Sequence, residues 1–339
     1  MRLIEPVGLL HGSGARAALQ NRLALPLAGG PAAFALARLV DDPRGIVPVA
    51  AVPDEFAASL AAIAAPRPVF AGLAGPGPWV MGIINVTPDS FSDGGQHLAP
   101  AVAIAAGLAM HEAGADLIDI GGESTRPGAA PVSPADELAR ILPVLRSLAS
   151  AGVAVSVDSR HAATMRAVLD AGARVINDIS ALAHDPAAAG VVAAARAPVV
   201  LMHMRGTPQT MGGHAAYGDT AGEVVRELAA RIAVAQAAGI ALADIAVDPG
   251  IGFAKNLVHN IDLLDRLALL HNLGCHILVG VSRKRFIGSL SGQPVAARRD
   301  PGSLAAGLAA LDRGASILRV HDVAGTVQAV RVWRGLRDA

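Results

Sequence analysis

From about Trp79 onward, the sequence repeats one pattern eight times: a short apolar run, a few polar or glycine residues, and a segment of helical period. A helix that follows each strand returns the chain to the same sheet edge, so consecutive strands are parallel. Eight such units predict an α/β fold, a closed (β/α)8 TIM barrel, with an open doubly wound sheet as the minor alternative. The predicted strands are Val80–Asn85, Asp116–Gly121, Val153–Asp158, Arg174–Ile179, Pro198–His203, Asp244–Asp248, His276–Val281 and Ala315–Val320.

Apolar residues at helical spacing lie between the predicted strands. They include Val102, Ala105 and Ala109 in the first helix, Val225, Leu228, Ile232 and Ala235 in the fifth, and Val323, Val327 and Val330 in the last. Six helices are followed by a glycine that suits a left-handed cap. These glycines are Gly114, Gly152, Gly172, Gly239, Gly274 and Gly314.

The first 77 residues do not follow this rhythm. Prolines and glycines interrupt short apolar pieces there, and a Pro- and Gly-rich run from Pro66 to Pro78 is typical of a connector. We expect residues 1–77 to form an appended unit of strands and a short helix, packed on a barrel of residues 78–339. The sequence indicates no function for this unit.

Composition restricts the partners of the chain. Hydrophobic residues make up 53% of the 339 residues and charged residues 17%, enough apolar content for a large core. The formal net charge is zero, which argues against a nucleic-acid or anionic-membrane surface. A lone cysteine, Cys275, excludes an intrachain disulfide framework. No secretion signal or long apolar span is evident, so we expect a cytoplasmic protein.

Each predicted strand ends in a polar or charged group. In parallel barrels the C-terminal strand ends carry the site, so these groups are expected to share one rim. Single residues there could be helix caps, but Lys and Arg do not cap helix N-termini. Asp158, Asn177 and Asp248 can accept from the donor edge of a flat heterocycle. Arg126, Lys284, Arg319 and His321 suit oxygen anions such as diphosphate, which predicts an acidic floor with a basic mouth.

Several ordered motifs resemble those of the dihydropteroate synthases. The first two are residues 80–95 (VMGIINVTPDSFSDGG) and 119–128 (DIGGESTRPG). Shorter ones follow in family order: 156–158 (SVD), 176–178 (IND), 201–204 (LMHM), 247–253 (VDPGIGF), 282–284 (SRK) and 319–323 (RVHDV). The resemblance covers residues 78–339, and ordered motifs of this length are far more specific than one glycine-rich match.

The resemblance implies a role for each matching residue. Asp158, Asn177, Asp248 and Lys284 would hold a pterin ring, and Arg319 would lie against its face. Asn85, Arg126 and His321 would surround a diphosphate, with Asn85 also helping to hold Mg²⁺. Thr125, Pro127, Ser282 and Phe253 would line the p-aminobenzoate side. The resemblance assigns catalysis to Arg126, Lys284, Arg319 and His321, while His203 is equally well explained as a core histidine.

The implied reaction joins a dihydropterin methyl diphosphate to p-aminobenzoate, and the family likeness implies a homodimer. Residues 87–90 have turn chemistry, so a surface turn is an open alternative for the first motif. A lid formed by Asp89–Gly95, with Phe91 at its tip, is compatible with such a turn. Two alternatives stay open: a corrinoid-linked methyltetrahydrofolate methyltransferase of the same superfamily, and a non-catalytic paralogue that binds pterin. The cationic motifs disfavour the methyltransferase, which has no diphosphate to bind.

Overall fold

The computed structural model describes residues 1–75, 77–86, 99–124 and 131–338. Eight parallel strands pair in chain order, and the last pairs with the first to close a barrel, which confirms the predicted fold and excludes the open sheet. The barrel strands are β5 (Trp79–Asn85), β6 (Leu117–Gly121), β7 (Val155–Asp158), β8 (Val175–Asp178), β9 (Val199–Met202), β10 (Ile245–Asp248), β11 (His276–Val279) and β12 (Ile317–Val320).

Helices alternate with these strands around the barrel. They are α3 (Ala99–Glu112), α4 (Pro134–Ser150), α5 (Ala162–Asp170), α6 (Ala188–Ala195), α7 (Thr220–Ala237), α8 (Leu257–Asp265), α9 (Arg285–Ser291), α10 (Asp300–Leu311) and α11 (Val323–Asp338). The six glycines expected at helix ends all have positive φ, between 71° and 104°. No helix in the described ranges is both long and apolar enough to span a membrane.

The apolar faces predicted for the fifth and last helices are buried, but the face predicted for α3 is wrong. Val102, Ala105 and Ala109 are exposed, and Ala103 and Gly107 face the core instead. An ideal Cβ on Gly107 would stand 2.7 Å from a methyl carbon of Leu148. The helix is apolar on every side, so hydrophobic periodicity could not predict which side is buried. The side with the smallest residues, Ala103 and Gly107, is buried because it lets α3 pack closest to its neighbours.

The residues before Trp79 form a second, antiparallel sheet. Strand β3 (Ala33–Leu39) pairs with β1 (Ile4–Leu10), β2 (Leu25–Pro26) and β4 (Ile46–Pro48). Two helices, α1 (Gly12–Gln20) and α2 (Ala57–Ala64), accompany the sheet where one short helix was expected. A separate small core contains Ile4, Phe34, Leu39, Phe56 and Ile63.

The connector closes the N-terminal end of the barrel. Phe70, Ala71 and Leu73 share a buried cluster with the lowest inward residues of the strands, and Phe70 is fully buried. The Arg67 guanidinium donates to the carbonyls of Ala62, Ala65, His271 and Cys275, which ties the connector to the barrel. A cavity of about 520 Å³ lies between the connector, the barrel floor and α11, at the end opposite the polar strand termini.

Asn272 attaches the N-terminal sheet to the barrel. This buried side chain accepts from Ile4 N at 3.0 Å and donates to Ile4 O at 2.7 Å and Leu269 O at 2.6 Å. We predict that Asn272→Leu lowers the free energy of unfolding by about 2–4 kcal/mol, because it leaves two buried backbone groups of Ile4 unpaired. Urea denaturation measures the change. As a control, Asn21→Leu removes an exposed hydrogen bond from the Asn21 side-chain amide to Ala17 O. Equal urea midpoints for the two variants would contradict the prediction.

Candidate active site

The period of two along each strand places polar groups directly above the apolar floor of the barrel. Leu117, Val175, Ala246, Leu278 and Ile317 belong to the buried layer inside the barrel. Two residues later on the same strands come Asp119, Asn177, Asp248, Gly280 and Arg319. Side chains two apart point to the same face, so these residues form the next layer towards the C-terminal strand ends.

Arg319 is the centre of the polar layer. Its Nε donates to Asp119 Oδ2 at 2.6 Å, and its Nη2 donates to Asp158 Oδ2 at 3.3 Å. Asn177 Nδ2 also donates to Asp119 Oδ2, at 3.0 Å. Asp119 is fully buried, whereas the side chains of Asp158 and Arg319 keep 15% and 20% of their exposure. Asp158 and Arg319 are therefore the most exposed members of this cluster, and Asn177 is 5% exposed beside them.

A second cluster surrounds Gly280. An ideal Cβ on this glycine would lie 3.9 Å from Arg319 Cβ, Asp248 Oδ2 and Lys284 Nζ alike. Asp248 Oδ1 accepts from Gly250 N at 2.7 Å, and Lys284 donates to the carbonyl of Ile251. Lys284 Nζ also lies 4.9 Å from the ring centroid of Phe253. The absence of a side chain at 280 leaves space among one acid and two bases.

Burial perturbs the titration of this layer. It raises the pKa of the Asp158 and Asp248 carboxyls. The positive charge of Arg319 opposes this rise at Asp158, and that of Lys284 opposes it at Asp248. Burial likewise lowers the pKa of Lys284 to about 8, with Asp248 acting against it. Buried acids and bases that shift one another are typical of functional sites.

Ser282 and His321 meet beside these clusters. Ser282 Oγ lies 2.9 Å from His321 Nδ1 and accepts from His321 N at 3.1 Å. Asn85 is exposed at the end of β5. An ideal Cβ on Gly121 would stand 3.6 Å from both Asn85 Oδ1 and Asp158 Cβ, so Gly121 separates these side chains.

The structure thus brings together nine of the predicted residues at one end of the barrel. They are Asn85, Asp158, Asn177, Asp248, Phe253, Ser282, Lys284, Arg319 and His321. Thr125, Arg126 and Pro127 lie outside the described residues, as does the Asp89–Gly95 segment expected to form a lid. Asp178 is a loop cap that accepts from Ser180 N and Leu182 N.

The predicted separation of an acidic floor from a basic mouth needs correction. Arg319 lies within the floor, between Asp119 and Asp158, and Lys284 lies beside Asp248. Carboxylates removed from water need nearby cations, so acids and bases alternate across the layer.

The sequence analysis missed two residues of the candidate site, Asp119 and Lys255, and left the role of a third, His203, undecided. Asp119 received no role, although its position two residues after Leu117 could have indicated an inward side chain. Lys255 was overlooked, and its Nζ lies 2.9 Å from His203 Nδ1. His203 is 4% exposed and has both ring nitrogens paired, the other with Glu227 at 2.9 Å, so it supports the site from behind.

The polar groups are compatible with one partial magnesium site. Mg²⁺ usually takes only one or two protein oxygens and completes its shell with water and substrate phosphates. The Asn85 amide oxygen at the strand end can supply such a ligand. Within the described ranges, no group of three His, Cys, Asp or Glu side chains could hold a metal by itself. A Mg²⁺ bound to the described residues alone would therefore need further ligands, such as water or phosphate oxygens.

Comparison with known proteins identifies the family. The family model described as pterin binding enzyme matches residues 81–321. The dihydropteroate synthase of Escherichia coli K12 is 48% identical over 256 residues, which are 75% of this chain and 90% of that protein. The chain belongs to the dihydropteroate synthase family. The dihydropteroate synthase of Neisseria meningitidis serogroup C is 47% identical over 262 residues, 76% of this chain and 93% of its own length.

Solved dihydropteroate synthases share the barrel. The Xanthomonas albilineans enzyme with 4-aminobenzoic acid is 49% identical, with a TM-score of 0.73 over 77% of this chain and 94% of that one. The same enzyme in complex with 7,8-dihydropteroate is 45% identical, with a TM-score of 0.73 over 81% of this chain and all of that one. The extra length of this dihydropteroate synthase family member includes the N-terminal sheet.

The two lysines offer a direct test of the electrostatics of this dihydropteroate synthase family member. The chain contains only Lys255 and Lys284, so ¹³Cε-lysine labelling should give two side-chain NMR signals. Because burial disfavours the ammonium, we predict titration midpoints near 7 for Lys255 and near 8 for Lys284. The unfolded chain binds these two protons more tightly than the folded protein does. Both lysines should therefore make the free energy of unfolding rise with pH, from their folded pKa values of about 7 and about 8 up to about 10.4. Lys284→Met removes one of the two signals and so assigns both. Titration midpoints near about 10.4 in the folded protein would contradict the prediction.

Proposed function

We propose that the protein condenses 6-hydroxymethyl-7,8-dihydropterin diphosphate with p-aminobenzoate, giving 7,8-dihydropteroate and diphosphate in folate biosynthesis. One observation carries the proposal beyond family membership: Arg319, Asp248 and Lys284 converge around Gly280, where no side chain fills the space. Arg319 also donates to Asp158, which joins this carboxylate to the same layer. Acids that accept from a heterocycle and cations that neutralise them are the groups a pterin site needs.

In this proposal the layer above the barrel floor binds the pterin. Asp158, Asn177 and Asp248 accept from its N–H donors, and Lys284 donates to its oxygen or nitrogen acceptors. Arg319 is held at its Nε and Nη2 by two carboxylates, so its planar guanidinium is fixed before the ligand arrives. A fixed guanidinium can stack on the ring without losing further side-chain freedom.

The diphosphate would lie above the pterin, towards the strand ends. Asn85, Arg126 and His321 surround it in this proposal, and Asn85 supplies a protein oxygen to Mg²⁺. The bound ion would neutralise phosphate charge. Thr125, Pro127, Ser282 and Phe253 line the p-aminobenzoate side. Ser282 contacts His321 at 2.9 Å, so the two substrate regions would adjoin at this pair.

The chemistry follows a dissociative, SN1-like path. The bond between the methylene carbon and the diphosphate oxygen breaks, and the electron pair leaves with the oxygen. Arg126 and His321 stabilise that charge, an effect worth about 3–4 kcal/mol per well-placed donor. The electron-rich pterin shares the positive charge on the carbon, while Lys284 and Arg319 hold the ring. The neutral arylamine then attacks the methylene, and its nitrogen loses a proton.

Residues 78–339 would form the catalytic unit of a cytoplasmic homodimer. An apolar groove on α8, α9 and α10 offers a surface for the second copy, because Ile261 and Leu290 at its edge are 42% and 61% exposed. Light scattering measures the assembly. Small-molecule substrates remain the proposed partners, with no nucleic acid or membrane.

A diphosphate-release assay on the full chain tests the function. The proposal requires release when both substrates and Mg²⁺ are present, with 7,8-dihydropteroate formed in equal amount. Binding of the pterin diphosphate without release would favour the non-catalytic paralogue. Methyl transfer from methyltetrahydrofolate to a corrinoid, without diphosphate release, would favour the methyltransferase.

A further inference from the structure

The chain uses lysine at only two positions. Among 28 Lys and Arg residues, Lys255 and Lys284 are the only lysines, and both lie beside the candidate site. Every other basic position of this group is arginine, including those in salt bridges and on exposed helices. Lys284 already has a proposed pterin contact, whereas Lys255 has no assigned role.

The surroundings of Lys255 fit an ammonium. The residue is 9% exposed, and its Nζ reaches His203 Nδ1 and Phe253 O at 2.9 Å each and His203 O at 3.4 Å. An ammonium has three N–H donors, which matches the three acceptors. A guanidinium is planar, carries five donors and is larger, so it would leave buried donors unpaired here.

The acceptors belong to two different segments. Phe253 is in the loop after β10, and His203 directly follows β9. The segments touch, since an ideal Cβ on Gly250 would overlap His203 O at 1.9 Å, and His203 N donates to Asp248 O at 2.9 Å. Lys255 therefore binds the loop and the neighbouring strand end at the same time.

The histidine is set up to receive this bond. His203 Nε2 pairs with Glu227 Oε2, and burial lowers the pKa of His203, so the neutral ring donates from Nε2 and accepts at Nδ1. Glu227, on α7, also accepts from Arg205 Nε at 3.0 Å. The Glu227 carboxylate supplies negative charge near the buried ammonium.

We propose that Lys255 is a positioning residue for the pterin site, which holds the Asp248–Phe253 loop against the end of β9. This role rests on the proposed function. The loop carries the Asp248 carboxylate, the Ile251 carbonyl that accepts from Lys284, and the Phe253 ring beside Lys284. Release of the loop would displace the Asp248 side of the ring site and leave Asp119, Asp158 and Asn177 on the other side of the barrel undisturbed.

The test compares three variants of the full chain. Lys255→Met keeps the length of the side chain without its donors, and Lys255→Arg keeps the charge. Arg205→Met is the matched control, because it removes a cation from the same Glu227 network without touching the loop. Calorimetric affinity for dihydropterin diphosphate, and KM for each substrate, are measured with Mg²⁺ present.

We expect Lys255→Met to weaken pterin binding by about 10- to 100-fold, as a displacement of about 1 Å does in other sites. KM for p-aminobenzoate, measured at saturating pterin, should rise less than the pterin affinity falls, because Phe253 is the one residue of this loop assigned to the p-aminobenzoate side. Lys255→Arg should not restore binding, and Arg205→Met should stay within about twofold of wild type. Equal losses for both substrates, restoration by arginine, or an equal loss in Arg205→Met would overturn the proposal.

A wild-type measurement covers the case in which Lys255→Met fails to fold. With ¹⁵Nζ-lysine at pH 5, where Lys255 is an ammonium, its protons should exchange with water slowly, because all three are buried and bonded. Rapid exchange at Lys255, as at a surface lysine, would overturn the proposal. An inactive wild-type protein would instead reject the proposed function, so the two failures are distinguishable.

Discussion

Asp158→Ala should abolish detectable binding of dihydropterin diphosphate, with kcat/KM reduced about 10³-fold or more. The carboxylate is partly exposed at the end of β7 and paired with Arg319 at 3.3 Å, so it can accept from a ligand without rearrangement. A site built to pair with polar groups of its ligand discriminates by several orders of magnitude when a partner is lost. Removal of the carboxylate also leaves Arg319 without one of its two anchors.

Isothermal titration calorimetry with dihydropterin diphosphate measures this loss, and steady-state diphosphate release gives kcat/KM. Arg126→Ala should mainly slow turnover while pterin binding persists, because its proposed contact is with the leaving group. Asp265→Ala, at an exposed aspartate on α8, is the control for a general loss of negative charge. Near-normal turnover in both site variants would reject the roles assigned to Asp158 and Arg126.

Arg319→Met should be the most destabilising single change in the candidate site. It leaves the fully buried Asp119 and the partly buried Asp158 without their cation. Breaking a buried ion pair from one side costs about 3–5 kcal/mol, since the remaining charge is uncompensated. We expect a loss of unfolding free energy of that size, together with loss of turnover.

The pH dependence of this loss has a defined sign. Burial raises the pKa of Asp158, and the Arg319 guanidinium opposes that shift, so its removal raises the folded-state pKa further. The folded variant then holds the proton more tightly than the unfolded chain does. Folded wild type already protonates Asp158 below about pH 8, so the deficit relative to wild type should be constant up to that pH and should grow as the pH rises from there towards the higher pKa of the variant.

Urea denaturation at pH 6 and pH 9.5, on either side of the wild-type pKa of Asp158, measures both effects. Arg299→Met removes a part-buried guanidinium that donates to the carbonyls of Arg283, Gln293 and Pro294, so it controls for loss of an arginine bonded to the backbone and not to a buried acid. Addition of Asp119→Asn to Arg319→Met should recover part of the stability, because it removes the uncompensated charge. A deficit that is independent of pH, or no larger than that of Arg299→Met, would contradict the ion-pair explanation.

Much of the fold was predictable from local pattern. The eight strands were placed within about two residues at either end, and glycines such as Gly114 and Gly172 end helices where the sequence predicts. Strands and helices were predictable because their side chains repeat with different periods along the chain. Helix ends were predictable because a left-handed cap favours glycine, and both signals depend only on neighbouring residues. The buried face of α3 was not predictable, because an alanine-rich helix has no polar side to exclude.

The amino-acid sequence by itself determined the order of strands and helices, the family, and which strand ends carry polar groups. Alternation along a strand and ordered motifs need no knowledge of distant neighbours. Only the tertiary structure decided that Arg319 lies between Asp119 and Asp158, and that Lys255 joins the β10 loop to His203. These contacts join residues that are 52 to 200 positions apart. Closure of the barrel creates them, because it removes charged groups from water and requires each to find a partner across the core.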